Sequence, residues 1–149
     1  MKQSKLSIEL LLLSSMLSLL AHVSCSEGGA LSVRDAWIRL PPPGANTAVF
    51  MKIDNTYSAP RYIVRVEGTK GFEFQLHETT IKNGVARMVK LEALEIPALG
   101  TSDLKPRGVH IMLTAPPSLQ QGQKVNMWLL LKDETRVPLT AIVSKVPLG

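Results

Sequence analysis

Histidine and methionine occur as two pairs in the second half of the chain. His77 is followed by Met88, and His110 is followed by Met112, in the pattern H-x10-M-x21-H-x-M. Imidazole with thioether sulfur favours Cu(I) over zinc, which prefers thiolate, imidazole and carboxylate ligands. A thioether has no proton to lose near neutral pH and holds copper where a cysteine would be oxidised. The pattern predicts a Cu(I) site, and binding of Cu(II) is left open.

Local strand geometry aligns each pair. Asn83-Gly84 is the preferred dipeptide for a two-residue type I′ hairpin turn, because both positions need positive φ. That turn sets Thr79 opposite Met88, so His77, two residues before Thr79, becomes a diagonal neighbour of Met88 with Cβ atoms roughly 7 Å apart. The other pair, His110 and Met112, has i and i+2 spacing and shares one face of a strand. Spacing alone leaves open whether the two pairs meet.

Competing interpretations of these residues are structural or redox ones. A methionine on a strand is usually core filler, and a single histidine is usually a hydrogen-bonded structural residue. A blue-copper electron carrier requires a cysteine thiolate, but Cys25 is the only cysteine and lies near the N-terminus. No phosphate-binding loop, Ser-His-Asp arrangement or HExxH motif is present. We therefore expect a carrier of the metal rather than an enzyme.

The elements that position these residues are predicted to be β-strands. Short segments rich in β-branched and aromatic residues alternate with Gly, Pro and Asn breaks, which predicts an all-β sandwich or barrel of roughly eight to ten strands. Met51, Met127, Trp37 and Trp128 are expected to be core or partly buried residues. The predicted strands are Leu31–Arg39, Ala48–Asn55, Arg61–Glu67, Phe72–Glu78, Ala86–Leu91, Glu95–Ile96, Thr101–Leu104, Val109–Leu113, Val125–Lys132 and Arg136–Lys145.

The N-terminal segment differs from the rest. Lys2 and Lys5 precede a largely apolar run, Leu6 to Ala21, too short to span a bilayer comfortably, which is typical of a secretory signal over residues 1–26. Val23-Ser24-Cys25 resembles the end of a lipoprotein signal, in which the cysteine is lipidated. The competing interpretation of the cleavage site is ordinary signal-peptidase cleavage near Ser24 to Ala30. The alternative to a secretory signal is an uncleaved membrane anchor or a buried N-terminal helix.

Residues 27–149 are predicted to form a single domain, large enough for a core and without a disulfide. The formal charge is +5, with both signs scattered along the chain. Since no basic run or stacked aromatics occur, a nucleic-acid partner is not expected. The positive charge would favour docking to an acidic partner. A monomer is expected, with membrane contact only if Cys25 is lipidated.

The four spaced residues resemble the signature of the periplasmic copper chaperones known as PCu(A)C. The similarity covers essentially the whole chain after the N-terminal segment. It includes Asp35-Ala36-Trp37-Ile38-Arg39, Leu76-His77-Glu78-Thr79-Thr80, Lys82-Asn83-Gly84, Glu95-Ile96-Pro97, Leu104-Lys105-Pro106 and Val109-His110-Ile111-Met112-Leu113.

The resemblance implies a cupredoxin-like fold and a surface Cu(I) site made by His77, Met88, His110 and Met112. It also implies a periplasmic location and delivery of copper to cytochrome c oxidase assembly, especially the Cu(A) centre. The recipient would be an oxidase subunit or another copper chaperone. A copper-buffering protein with the same site and a β-sandwich interaction module are the alternatives.

Two departures from the family pattern affect the expected site. Glu78 stands where some members have methionine, and strict alternation turns it away from His77. Some members also carry a C-terminal tail rich in His and Met. The tail over 144–149 has neither, so a second copper site there is not expected.

Overall fold

A computed structural model describes residues 28–114 and 116–147. Within these ranges the secondary structure is entirely strands and turns, with no helix, and so none that could cross a membrane. The predicted signal segment and Cys25 lie outside the described residues. The strands are β1 (Leu31–Arg39), β2 (Thr47–Asn55), β3 (Arg61–Gly68), β4 (Glu73–Lys82), β5 (Val85–Lys90), β6 (Leu94–Ile96), β7 (Gly100–Leu104), β8 (Val109–Thr114), β9 (Lys124–Leu131) and β10 (Arg136–Ser144).

All ten strands belong to one hydrogen-bonded sheet. Its order is β5-β4-β8-β2-β1-β10-β9-β3-β6, and β7 pairs with β2 beside this path. The pairing of β1 with β10 is parallel, whereas the others are antiparallel. The sheet folds over so that β3 packs against β4. The predicted all-β, cupredoxin-like fold is confirmed.

One hydrophobic core lies between the two halves of the folded sheet. Leu76 and Ile111 contribute to it from the half that carries β4 and β8, and Leu129 contributes from β9. Met51 and Met127 are buried in the same cluster, as predicted. Each fully buried side chain of this size stabilises the fold by about 1.5–3 kcal/mol relative to exposure. Because Leu76 and Ile111 face inward, their neighbours His77 and His110 face outward.

The turn between β4 and β5 has the predicted geometry. Asn83 and Gly84 have φ values of 51° and 77°, the left-handed pair that a type I′ turn requires. Thr79 lies opposite Met88, as the turn predicts. However, β4 continues to Lys82 instead of ending at Glu78, so the hairpin is longer than the predicted strands imply.

A bulge in β1 redirects an aromatic side chain. The register to β2 shifts between Arg34 and Trp37, and Asp35 within the shift has a φ of 56°. Without the extra residue, Ala36 would lie opposite Phe50; with it, Trp37 does. Trp37 is buried as expected, but it packs on Phe50, on the sheet face opposite the main core.

Candidate metal centre

The two histidines form a direct cross-strand pair. β4 and β8 are adjacent, and His77 lies opposite His110. Their ring centroids are 6.1 Å apart with an interplanar angle of 48°. Residues directly opposite each other in an antiparallel pair share a face. The fold therefore brings together two imidazoles that are more than thirty positions apart in sequence.

The two methionines flank this pair along the strand direction. Met88 lies opposite Thr79, one side-chain row beyond His77, and Met112 lies opposite Gln75, one row before it. Met88, Met112 and His110 line one groove of about 320 Å³. All four predicted ligands therefore lie on one face, three of them in the groove and His77 beside it. Their role as ligands remains a prediction.

The opposite wall of the groove is the loop after β1. Leu40, Pro41 and Pro42 line it, together with Arg39, whose guanidinium carbon lies 5.3 Å from the centroid of the Phe50 ring. Proline has few accessible backbone conformations, and the loop is also held by hydrogen bonds from Leu40 N–H to the Ser144 carbonyl at 2.9 Å and from Ala45 N–H to the Pro42 carbonyl at 3.1 Å. The groove is open to solvent between this wall and Met88.

Burial and a backbone hydrogen bond fix the His110 ring. The residue is only 5% exposed, and its centroid lies 6.4 Å from that of Phe50, which packs on Trp37 at 4.9 Å. Its Nδ1 lies 3.0 Å from the carbonyl oxygen of Gly108. Because a carbonyl only accepts, Nδ1 carries the proton and Nε2 keeps its lone pair. In histidines that bind a metal, the ring nitrogen that does not bind it commonly donates such a hydrogen bond, which orients the ring.

His77 has the opposite arrangement. Its Nε2 lies 3.0 Å from Oε1 of Gln75, so Nε2–H donates to the amide oxygen. Nδ1 is buried and has no hydrogen-bond partner among the described residues. Burial lowers the pKa of His77, and the charges of His110 and Lys90 lower it further. The ring is therefore neutral near pH 7 and has an unused lone pair.

The thioethers differ in exposure. Met88 is 53% exposed on β5, whereas Met112 is half-buried between β4 and β2, opposite Gln75 and Ala48.

Glu78 lies opposite Val89 and Val109, on the other face of the hairpin. The expected exclusion of Glu78 from the ligand face therefore agrees with the strand register.

Sequence reasoning missed three supports of this face: Gln75, Phe50 and the proline loop. Gln75 precedes His77 by two positions, and period-two alternation would have placed both on one face. Phe50 had no such signal, because its position beside His110 depends on the pairing of β2 with β8. The run Pro41-Pro42-Pro43 by itself indicates only a break between strands.

Solved structures of similar fold identify the class of protein to which this fold belongs. The apo-DR1885 solution structure from Deinococcus radiodurans is 30% identical, with a TM-score of 0.58 over 83% of this chain and 87% of that chain. The copper-bound PCuAC domain from PmoF2 is 19% identical, with a TM-score of 0.64 over 78% and 93%. The apo PCuAC domain from PmoF1 is 23% identical, with a TM-score of 0.62 over 78% and 94%. The chain has a PCuAC-type fold, which confirms the resemblance.

A family model matches residues 31–143 under the description "Putative lipoprotein LpqE-like". The chain belongs to this LpqE-like family. A relative named "Putative lipoprotein Lxx21020", from Leifsonia xyli subsp. xyli, is 33% identical over 125 residues, which cover 83% of this chain and 75% of that protein.

Proposed function

We propose that this chain is an extracytoplasmic Cu(I) carrier that binds one ion through His77, Met88, His110 and Met112 and passes it to another protein. One observation carries the proposal: the two histidines face each other across β4 and β8, each has one ring nitrogen in a hydrogen bond, and Nδ1 of His77 has no partner among the described residues. Two thioethers lie on the same face, on either side of the pair.

The donor set fits Cu(I). In the hydrogen-bonding state described, His110 offers Nε2 and His77 offers Nδ1 as ligands. Two imidazoles and two thioethers carry no charge, which suits a soft monovalent ion better than zinc or a hard cation. The unpartnered buried Nδ1 of His77 is otherwise a cost to the fold, and bound copper would satisfy it.

Copper is the cargo, and release is expected to occur by ligand exchange. Incoming Cys, His or Met donors of a recipient would replace the four ligands one at a time. Because the donors are neutral, loss of the ion leaves no uncompensated charge at the site. A site from which the ion is released by exchange suits a carrier, whereas an enzyme would keep its metal.

The recipient that we propose is cytochrome c oxidase during assembly of its Cu(A) centre, either directly or through another copper chaperone. The names of two solved relatives support the copper part of this proposal, a copper-bound PCuAC domain and CuI-DR1885. The lipoprotein names of the family and of the curated relative support export from the cytoplasm, and the periplasm is the location that we propose. Cys25 is the residue that would carry a lipid anchor.

Competition with a chromogenic Cu(I) chelator tests the binding step. The purified chain should remove one equivalent of Cu(I) from the chelator, and a His77→Ala/His110→Ala double variant should not. Met88→Leu/Met112→Leu removes both sulfurs with little change in volume. Met127→Leu is its matched control, because Met127 is a buried methionine in the core. If the native chain and the double variant both compete equally poorly, the alternative of a β-sandwich interaction module would be favoured instead.

Delivery is tested in cells. A strain lacking this chain should lose cytochrome c oxidase activity in low copper and regain it when copper is added. Normal oxidase activity in low copper, with reduced tolerance of high copper, would instead identify a buffering protein.

A further inference from the structure

The hairpin of β4 and β5 exposes apolar side chains on both of its faces. Every residue of β5 is exposed. Met88 and Ile81 lie on the copper-site face, and Val85 and Val89 lie on the other; all four are more than half exposed. A surface ribbon normally keeps at least one polar face. Exposed apolar side chains grouped on one hairpin indicate an interaction site.

The outer edge of this hairpin has unpaired backbone groups. Among the described residues, β5 pairs only with β4. The N–H of Leu91 donates inward to the carbonyl oxygen of Leu76, at 2.8 Å. Because successive residues of a strand turn their N–H and C=O groups to opposite sides, Ala86, Met88 and Lys90 turn theirs outward. Met88 therefore presents its side chain to the copper face and its backbone to the free edge.

The charge of the hairpin has one sign. Lys82, Arg87 and Lys90 lie between Thr79 and the end of β5, and no acidic residue occurs in that stretch. None of the three bases forms an ion pair with another described residue. Basic residues protect an exposed edge against pairing with a second copy, because like charges would meet. The same charges attract an acidic strand.

We infer that an acidic, extended segment of the copper recipient adds to the outer edge of β5 as a new strand, through Ala86, Met88 and Lys90. The inference rests on the proposed function. It also names the first ligand to be exchanged. The recipient residue opposite Met88 lies on the same sheet face, with its Cβ about 5 Å away. A Met, His or Cys at that position would replace Met88 before any other ligand is released.

A designed peptide tests strand addition on the copper-free chain. The probe is the capped peptide Glu-Val-Met-Glu-Val-Val, which in antiparallel register sets its acids opposite Lys90 and Arg87 and its methionine opposite Met88. The matched control peptide has lysine at both acidic positions. Amide hydrogen exchange measured by NMR should slow at Ala86, Met88 and Lys90. Exchange at the inward-facing amides of Val85, Arg87 and Val89 should change little. The acidic peptide should bind at least about tenfold more tightly than the basic one.

Two variants distinguish the contribution of the backbone edge to peptide binding from that of the basic side chains. Ala86→Pro removes an outward N–H without breaking the pairing with β4, and it should weaken peptide binding about tenfold while leaving Cu(I) binding unchanged. Lys82→Glu/Arg87→Glu should weaken binding of the acidic peptide by at least as much. Lys124→Glu/Lys145→Glu, with exposed bases outside the hairpin, is the charge-matched control and should bind like the native chain.

The outcomes distinguish the inference from the proposed function. Absence of protection at the outward amides, or equal binding of the two peptides, overturns strand addition even if copper binds. Protection of these amides by self-association without peptide makes a second copy of the chain the occupant and also overturns it. Peptide binding by a chain that binds no Cu(I) would leave the strand-addition edge standing and remove the proposed function.

Discussion

The two strands that flank β4 carry proposed copper ligands that differ in exposure. β8 lies inside the sheet between β4 and β2, and its His110 is 5% exposed and hydrogen-bonded to Gly108. β5 lies at the sheet edge, and its Met88 is 53% exposed. One side of the site is therefore fixed by the fold before any metal arrives, and the other side is open to a partner. A carrier needs both, since a fixed side gives affinity and an open side permits release.

Replacing the fixed ligand should have the largest effect. We expect His110→Ala to lower Cu(I) affinity by at least about a thousandfold, because ligand loss should exceed the 10–100-fold cost of losing an outer-shell contact. It should also destabilise the fold by about 2–3 kcal/mol, since it opens a cavity beside Phe50 and removes one of two hydrogen bonds to the Gly108 carbonyl, which keeps that from the N–H of Thr79. Chelator competition and urea unfolding measure the two effects. An unchanged unfolding midpoint would contradict the picture of a fixed side.

Replacing the open ligand should affect copper without affecting the fold. Met88→Leu should lower Cu(I) affinity by at least about a hundredfold, because loss of a ligand should exceed the cost of losing an outer-shell contact. The change in unfolding free energy should stay within about 0.5 kcal/mol, as for other exposed positions. A destabilisation comparable to that of His110→Ala would remove the distinction between the two sides.

Gln75 should have a smaller, more specific effect. Gln75→Leu removes the acceptor for Nε2–H of His77, and we expect Cu(I) affinity to fall about tenfold. In ¹⁵N NMR of the copper-free native chain, His77 should carry its proton on Nε2 and His110 on Nδ1. The variant should show a tautomer mixture at His77 alone. A native His77 with its proton on Nδ1 would contradict the assigned hydrogen bond.

The smallest effect is expected outside both sides of the site. The side-chain hydrogen bonds of Arg34 and Thr101, at 2.7 and 2.6 Å, lower the pKa of Asp54. A carboxyl whose folded pKa is below its unfolded value stabilises the fold above about pH 4, and this stability is lost as pH falls through the folded pKa. Asp54→Asn should flatten this acid-side loss slightly in urea unfolding at several pH values. Cu(I) affinity at pH 7 should not change.

Local patterns predicted how each His-Met pair is aligned and could not predict that the two pairs meet. Asn83-Gly84 fixes the turn and therefore the register of Met88, because those two residues alone supply the required φ values. The meeting of His77 with His110 depends on β4 lying beside β8, a long-range pairing on which local periodicity carries no information. The bulge at Asp35 could not be predicted from the sequence either. A single inserted residue reverses which side chain faces outward, and Asp35 gives no sequence sign of a positive φ comparable to Asn-Gly.

The parallel pairing of the first strand with the last also bears on how the molecule acquires its structure. Trp37 lies beside Ile142 in that pairing and packs on Phe50, which contacts His110. The aromatic support of the fixed histidine therefore needs β10, a strand more than a hundred positions further along the chain. Folds dominated by such distant contacts form in milliseconds to seconds rather than microseconds. We expect the chain to acquire its metal affinity only after β10 has paired with β1, so that a chain in which β10 is unpaired takes up little copper.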